Sequence, residues 1–565
     1  MARLSGDAVP ALVAPGSAKM RELKMRQGFV ACAFLVAFAI IAAKLVWLGV
    51  RPHDGAPTER SASLGSAISR PDVTDRKGRA LATDISMGSL FANPDRVVDV
   101  DDAVEQLAGV LPDIDAPALR RRLRGEGKFV WVARELTPRQ QEIVHELGLP
   151  GFDIVQEPHR VYPAGNTASQ VLGFVDVDNR GLAGIETYID RSPLALKAGD
   201  SRRDMNGQVA LSLDLGAQYA LRSELDDAMK RYRAKAAAGL VMDVHSGEVV
   251  AMASLPDYDP NRREQALDKN RLNRLTSGVY ELGSVFKLLT VAGALDSGAA
   301  TLEKTYDATQ PIQVSSFTIN DFHAKRRVLS VPEIFIYSSN IGSAKMAVDM
   351  GVERHRAFLA RMGLMKPVRL EVGETAAPII PQNWRSLTSM TAAFGHGLSV
   401  TPLQFAAASA ALVNGGYLVE PTFLKRSRGE ARLRAERVVS QRTSEQMRYL
   451  LRLNVTSGSG RRADAEGYRV GGKTGTAEKV VNGRYSRQAL LTSFLAAFPV
   501  DAPEYVVFVM LDEPQRVEET GGEATAGLNA APTVRRIVER VAPLLGVLPE
   551  GQRKPVFDEP VPASY

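Results

Sequence analysis

Cysteine is almost absent: one residue in 565, Cys32, and it falls inside an apolar run near the N-terminus. Everything downstream of that run is therefore without disulfides or a cysteine-ligated metal site. Histidine is scarce too, with seven residues and no H-E-x-x-H or comparable grouping, which argues against a metal enzyme. Charge of either sign is nearly cancelled, since 70 Lys and Arg against 64 Asp and Glu leave a net of +6. With no arginine-rich tract and no interleaved aromatics, nucleic acid is not an expected partner. No segment repeats at a fixed period. What remains is ordinary for a globular chain, 45% hydrophobic and 24% charged. The length predicts about two to four domains.

The one long apolar run is Gly28–Val50, interrupted only by Lys44. As a helix it spans roughly 30 Å, enough for a bilayer core. Lys44 and Trp47 stand near its far end, where both suit the interface. Residues 1–27 carry Arg3, Lys19, Arg21, Lys24 and Arg26 against Asp7 and Glu22, whereas Arg51 and Arg60 alone are basic in the ten residues beyond the run. This bias predicts a cytoplasmic tail at 1–27, an anchor at 28–50 and the rest outside the cytoplasm. The Ala-x-Ala triplets Ala31–Ala33 and Ala37–Ala39 lie within the run rather than after it, so the span reads as retained, not cleaved.

Residues 51–66 are rich in Pro, Gly, Ser and Ala and read as a linker. In Arg70–Ala82, Asp75–Gly78 is a tight turn between two short extended pieces. Helical periodicity covers Asp101–Leu111, Ala116–Arg124 and Gln140–Leu147, with a strand at Phe129–Ala133 and a turn at Gly148–Gly151. Nothing in 51–204 looks catalytic; its glycines and Arg–Asp pairs read as turns and structural ion pairs. From Met205 strands and helices alternate to Leu545: a strand at Val209–Leu213, an amphipathic helix at Gly216–Arg233, and a hairpin of Gly239–Asp243 with Glu248–Met252 across His245–Gly247. Alternation in that hairpin suits one face on a core. Prolines 549, 555, 560 and 562 predict a disordered tail over 546–565.

Three short stretches can carry chemistry. In Tyr280–Asp296, Gly283 permits a tight turn into a helix, and Ser284 and Lys287 stand one helical turn apart on one side. A serine beside an amine that has lost its proton to burial is a competent nucleophile. A cap serine followed by a solvated lysine has the same spacing. Ser338-Ser339-Asn340 opens another helical run, Ile341–Met350, where a serine cap is again the simple reading. Gly471–Ala477 sets Lys473, Thr474 and Thr476 among small residues, so that a ligand backbone can come close. The same stretch satisfies G-x-x-x-x-G-K-T from Gly467 to Thr474, and Val506–Leu511 with Asp512-Glu513 resembles an ATPase strand and its acid. No apolar strand precedes Gly467, and Asn482-Gly483 makes a hairpin turn where a helix is required, so the nucleotide reading fails.

S-x-x-K, S-x-N and K-T-G in this order resemble the penicillin-binding proteins and serine β-lactamases. The anchor, the DRKG turn, RVYPAG, GLAGIE and AMASLPDYDPN extend the resemblance to class B penicillin-binding proteins over roughly residues 28–545. WVARELT and YELGSVFK are similar to the septal transpeptidase of cell division, the penicillin-binding protein 3 type. Leu282 stands where many relatives have Pro, and Phe286 replaces a smaller residue. The resemblance implies an α/β (α+β) transpeptidase fold at 205–545 behind a pedestal of the dimerisation type at 51–204. It implies Ser284 as nucleophile, Lys287 as proton acceptor, Ser338 and Asn340 relaying the proton to the leaving amine, and Lys473 supplying positive potential. Thr474, Gly475 and Thr476 would bind substrate, and the backbone N–H groups of Ser284 and Thr476 would form the oxyanion hole. No metal or cofactor is implied. Implied partners are peptidoglycan stem peptides ending in D-Ala-D-Ala, β-lactams, the inner membrane, a membrane glycosyltransferase and other divisome proteins. An elongation-type transpeptidase, a D,D-carboxypeptidase, a serine β-lactamase with Glu371 or Glu374 as its second acid, and a non-enzymatic scaffold stay open.

Overall fold

Sequence periodicity accounts for much of the secondary structure in residues 69–125, 127–191, 208–314 and 317–552, which a computed structural model describes together with residues 34–36, 38–39, 41–42 and 44. The chain falls into two units, Met1–Ser66 and Ala67–Tyr565. In the first, the described residues, all between 34 and 44, are helical. Among the described residues no helix is long and apolar enough to cross a membrane; most of the expected anchor Gly28–Val50, and all of the linker 51–66, lies outside them.

The second unit begins with the predicted turn. Gly78 takes φ +81°, and the Asp75 carboxylate accepts from the N–H groups of Lys77 and Arg79, both at 2.9 Å. The turn joins β1 (Val73–Thr74) to β2 (Ala80–Ala92), which runs for 13 residues rather than the short piece expected. Helices α1 (Val100–Val110), α2 (Ala116–Leu123) and α3 (Pro138–Glu146) start at the caps Asp99, Asp115 and Thr137. Strand β3 (Val130–Leu136) pairs with the far end of β2. Strand β4 (Phe152–Val161) pairs with β2 along Thr83–Ala92. The sequence gives no sign of β4, because its half-buried residues fall on both faces and Pro158 interrupts it.

The charged residues of this region tie it together. Arg160 is buried, with its guanidinium 2.7 Å from Glu186 and 3.1 Å from Asp84. Arg70 reaches the same Glu186 at 2.9 Å and Asp190 at 2.6 Å. RVYPAG and GLAGIE thus meet in one ion-pair network, as the reading of 51–204 as turns and structural ion pairs expects.

Strand β5 (Val209–Ala210) runs parallel to β1 and is shorter than the expected Val209–Leu213, because Leu211 leaves it to bridge Leu424. Helix α4 (Leu215–Arg231) follows, then β6 (Ala236–Asp243), β7 (Val249–Leu255), α5 (Lys287–Asp296), α6 (Val331–Tyr337), α7 (Asn340–Met350), α8 (Pro402–Ala411) and α9 (Gln441–Ser457). The last strands are β8 (Gly471–Val481), β9 (Arg484–Phe498) and β10 (Tyr505–Asp512), before α10 (Ala530–Leu544). These build an antiparallel sheet in the order β8-β9-β10-β6-β7.

The expectation that the β6–β7 hairpin turns one face to a core is corrected: every residue of both strands is buried. Ala238, Leu240 and Met242 pack in one core with Leu288 of α5 and Phe405 of α8, whereas Ala237 and Val241 pack in another with Leu221 of α4 and Val534 of α10. Helices on both faces leave no solvated side. The expected disorder of 546–565 does not begin at 546. Glu550–Gln552 form a short 3₁₀ turn started by Pro549, with Glu550 N–H donating to Gly467 O at 2.7 Å and Arg469 paired to Glu550 at 3.0 Å. Residues 553–565 lie outside the described residues.

Candidate active site

Glycine decides how the serine is presented. Gly283, at φ +62°, opens a 3₁₀ turn, Gly283–Phe286, that runs straight into α5. Leu282 occupies the cap position and no side chain caps the turn, so Ser284 is not a helix-cap serine. The turn lies against β8: a side-chain carbon at Gly283 would meet Thr476 O at 2.9 Å, and one at Gly475 would meet Leu282 O at 2.7 Å.

Lys287 is not solvated either. It is fully buried, and its Nζ lies 2.8 Å from Ser284 Oγ, 2.6 Å from Ser338 O and 3.0 Å from Ser338 Oγ. Burial drives its proton affinity well below that of an ordinary lysine; the nearby Lys473 cation adds to the effect and Asp321 opposes it. A neutral amine has two N–H bonds to donate and one lone pair to offer. With three oxygens around it and Ser338 O able only to accept, the lone pair can face the hydroxyl of Ser284.

Ser338-Ser339-Asn340 divides its labour. Ser338 sits in the left-handed region at φ 58° where α6 ends, which turns its hydroxyl toward both lysines. Ser339 is the cap of α7: its Oγ accepts from Gly342 N–H at 3.0 Å and donates to Asp321 at 2.8 Å. Asn340 donates from Nδ2 to Asn320 O at 2.8 Å, leaving its carbonyl oxygen and second N–H for a ligand. The cap reading therefore holds for Ser339 alone.

On β8, Lys473 is fully buried, with Nζ 3.0 Å from Ser338 Oγ and 3.2 Å from Thr474 O. Burial alone takes it down to about 7. Thr474 Oγ1 lies 2.6 Å from Ser459 Oγ, and Thr476 Oγ1 accepts from Ala526 N–H at 3.1 Å. Gly472 stands where any side chain would strike the Phe494 ring at 2.3 Å, and its carbonyl accepts from the buried Asn454 at 2.7 Å. The structure thus brings the predicted residues Ser284, Lys287, Ser338, Asn340, Lys473, Thr474, Gly475 and Thr476 to the junction of the serine turn, the start of α7 and β8.

Asp321, Ser459 and Ala526 went unnoticed in the sequence. Each acts from an irregular segment through hydrogen bonds alone, Asp321 accepting from Ser339 Oγ and, at 3.0 Å, from Ile341 N–H, and the run of small residues around Ser459 was its only signal. Glu371 and Glu374 are occupied elsewhere. Glu371 accepts from Thr422 Oγ1 and, at 3.0 Å, from Phe423 N–H; Glu374 accepts from Gly184 N–H at 3.1 Å. The G-x-x-x-x-G-K-T stretch runs into a strand, and Asp512 and Glu513 pair with Lys479 at 2.7 and 2.8 Å.

Two families match this chain: "Penicillin binding protein transpeptidase domain" over residues 237–539 and "Penicillin-binding Protein dimerisation domain" over 67–200. A probable peptidoglycan D,D-transpeptidase FtsI of Caulobacter vibrioides is 41% identical over 85% of this chain and 82% of the relative. A probable peptidoglycan D,D-transpeptidase PenA of Neisseria gonorrhoeae is 32% identical over 93% of each chain. Peptidoglycan D,D-transpeptidase FtsI of Escherichia coli is 30% identical over 87% of this chain and 88% of the relative. Among solved structures, a peptidoglycan synthetase from Bifidobacterium adolescentis shares the fold with a TM-score of 0.66 at 22% identity, covering 86% of this chain and 97% of that one.

Proposed function

The chain belongs to the class B penicillin-binding proteins, and from that membership we propose how its own residues carry out peptidoglycan D,D-transpeptidation in septal wall synthesis. The observation that carries the proposal is the buried Lys287 amine 2.8 Å from Ser284 Oγ.

Ser284 attacks the carbonyl carbon of the penultimate D-Ala while its proton passes to Lys287. The oxyanion that forms is met by the backbone N–H groups of Ser284 and Thr476. The C–N bond to the terminal D-Ala breaks, and its nitrogen takes a proton relayed through Ser338; Asn340 holds the peptide backbone. The terminal carboxylate binds Thr474 and Thr476, and its charge returns Lys473 from about 7 toward its cationic form. The amine of a second stem peptide then takes the acyl group from Ser284. A β-lactam follows the first half of this course and stops as an ester.

We further propose residues 1–27 as a cytoplasmic tail, 28–50 as a single membrane anchor, 51–204 as linker and pedestal, 205–545 as the transpeptidase domain and 546–565 as a C-terminal tail. Such an arrangement holds the serine outside the inner membrane at the division site. It suits partnership with a membrane glycosyltransferase and other division proteins, since tethering raises their effective concentration. Support for an amine acceptor over a β-lactamase's water comes from Glu371 and Glu374, whose carboxylates are engaged by Phe423 N–H and Gly184 N–H. Fluorescent penicillin tests the reading: the label is expected to attach and then persist for many minutes. Many turnovers per second of a chromogenic β-lactam would overturn it.

A further inference from the structure

The site is electrically lopsided along β8. Side chains two apart on a strand share a face, about 7 Å from one to the next. Thr474, Thr476 and Glu478 therefore form one row, with Thr474 toward the lysine end and Glu478 at the other; the serine turn meets the strand between them, at the Thr476 carbonyl and on the alternate row at Gly475 and Ala477. Immediately past Glu478 the β8–β9 pairing jumps from Glu478↔Leu490 to Lys479↔Ser486, a bulge that interrupts the ladder at this point.

A second carboxylate stands at the same end. Glu281 lies three residues before Ser284 and accepts from Gly397 N–H at 2.8 Å and from Tyr485 O–H at 3.0 Å. Tyr485 lies across from Val480 on the hairpin, and its ring is 5.4 Å from that of His396. His396 in turn follows Gly395, whose carbonyl accepts from Gly283 N–H at 3.3 Å. Glu281 and Glu478 both act electrostatically on His396 and on Tyr485, and His396 also feels the Lys287 charge. Of the cations nearby, Lys479 is paired to Asp512 and Glu513, and only the 92% exposed Arg487 reaches Glu478, in a long pair at 3.8 Å.

One end of the groove thus carries lysines and threonines fit for a carboxylate, the other carries two carboxylates, and Ser284 lies between. The donor peptide ends in a carboxylate; the acceptor arrives as an ammonium, sheds one proton, and its nitrogen turns positive again as it bonds to the acyl carbon. We propose that Glu281 and Glu478 form the subsite that receives the acceptor ammonium and stabilises that charge. In the step they assist, the ammonium first gives one proton to water; the freed lone pair bonds to the acyl carbon, the C–O bond to Ser284 breaks, and a second proton passes through Lys287 to Ser284 Oγ, leaving an amide.

The inference rests on the acyl-enzyme reading and is tested on the acyl-enzyme itself. The full chain is acylated with a stem-peptide thioester, and partition is measured between water, D-alaninamide, which is cationic near neutrality, and hydroxylamine, which is not. In the Glu281→Gln, Glu478→Gln double variant, transfer to D-alaninamide is expected to fall about tenfold or more relative to hydroxylamine. With unsubstituted protein, added salt is expected to lower the D-alaninamide share and spare hydroxylamine. Equal loss for both nucleophiles, or an unchanged ratio, overturns the subsite. A salt-independent ratio does so even where the double variant does not fold. Failure of the unsubstituted chain to acylate defeats the parent reading instead.

Discussion

Gly475 and Leu282 are packed backbone to backbone: a side-chain carbon at Gly475 would stand 2.7 Å from Leu282 O, and 2.6 Å from Ser493 Oγ on its other side. Strand β8 and the turn that presents Ser284 are thereby held in one fixed relation. Gly475→Ala is expected to push them apart, lowering penicillin acylation about a hundredfold at a stability cost of about 1–3 kcal/mol. Acylation rates and thermal unfolding check this together. Acylation at the unsubstituted rate would show that the close approach is incidental.

Lys473 makes the fold pH-dependent with a definite sign. Its folded value is about 7 against 10.5 for an ordinary lysine, so between these the unfolded chain holds a proton that the folded one lacks. Stability therefore rises as pH is raised from about 7 toward the ordinary lysine range, and Lys287, lowered in the same way, adds to the slope. Lys473→Met is expected to flatten the rise of Tm with pH through this window. Parallel Tm curves for variant and unsubstituted protein would contradict it.

The ion-pair network of Arg160, Glu186 and Arg70 is buried enough for its loss to be felt. Glu186→Gln leaves two guanidinium groups without their shared carboxylate and is expected to cost about 3 kcal/mol. Denaturant unfolding measures it. A loss under about 1 kcal/mol would mean that Asp84 and Asp190 suffice to hold the arginines.

The candidate site was largely legible because its chemistry fixes residue types at fixed spacings. Ser284 and Lys287 must lie one helical turn apart, and the glycines of Gly471–Ala477 are needed where backbone approaches backbone. Asp321 and Ser459 escaped since each acts through hydrogen bonds from an irregular segment that no spacing announces. Among the folds, α1, α2 and α3 could be read from their periodicity, whereas β4 could not, having neither alternation nor an apolar run. The β6–β7 hairpin was recognised but its surroundings were not. Small residues such as Ala236, Ala237 and Ala238 do not reveal that helices cover both faces.

The central claim is that Ser284 is the acylated residue and Lys287 enables it. The measurement is intact mass followed by peptide mapping after exposure to penicillin, on the unsubstituted chain, Ser284→Ala and Lys287→Ala. One adduct is expected, on the peptide containing Ser284. None is expected in Ser284→Ala, which stays folded because its hydroxyl caps no helix, and none in Lys287→Ala on the same timescale. An adduct that persists at another serine, or acylation of Lys287→Ala within a few-fold of the unsubstituted rate, would contradict it.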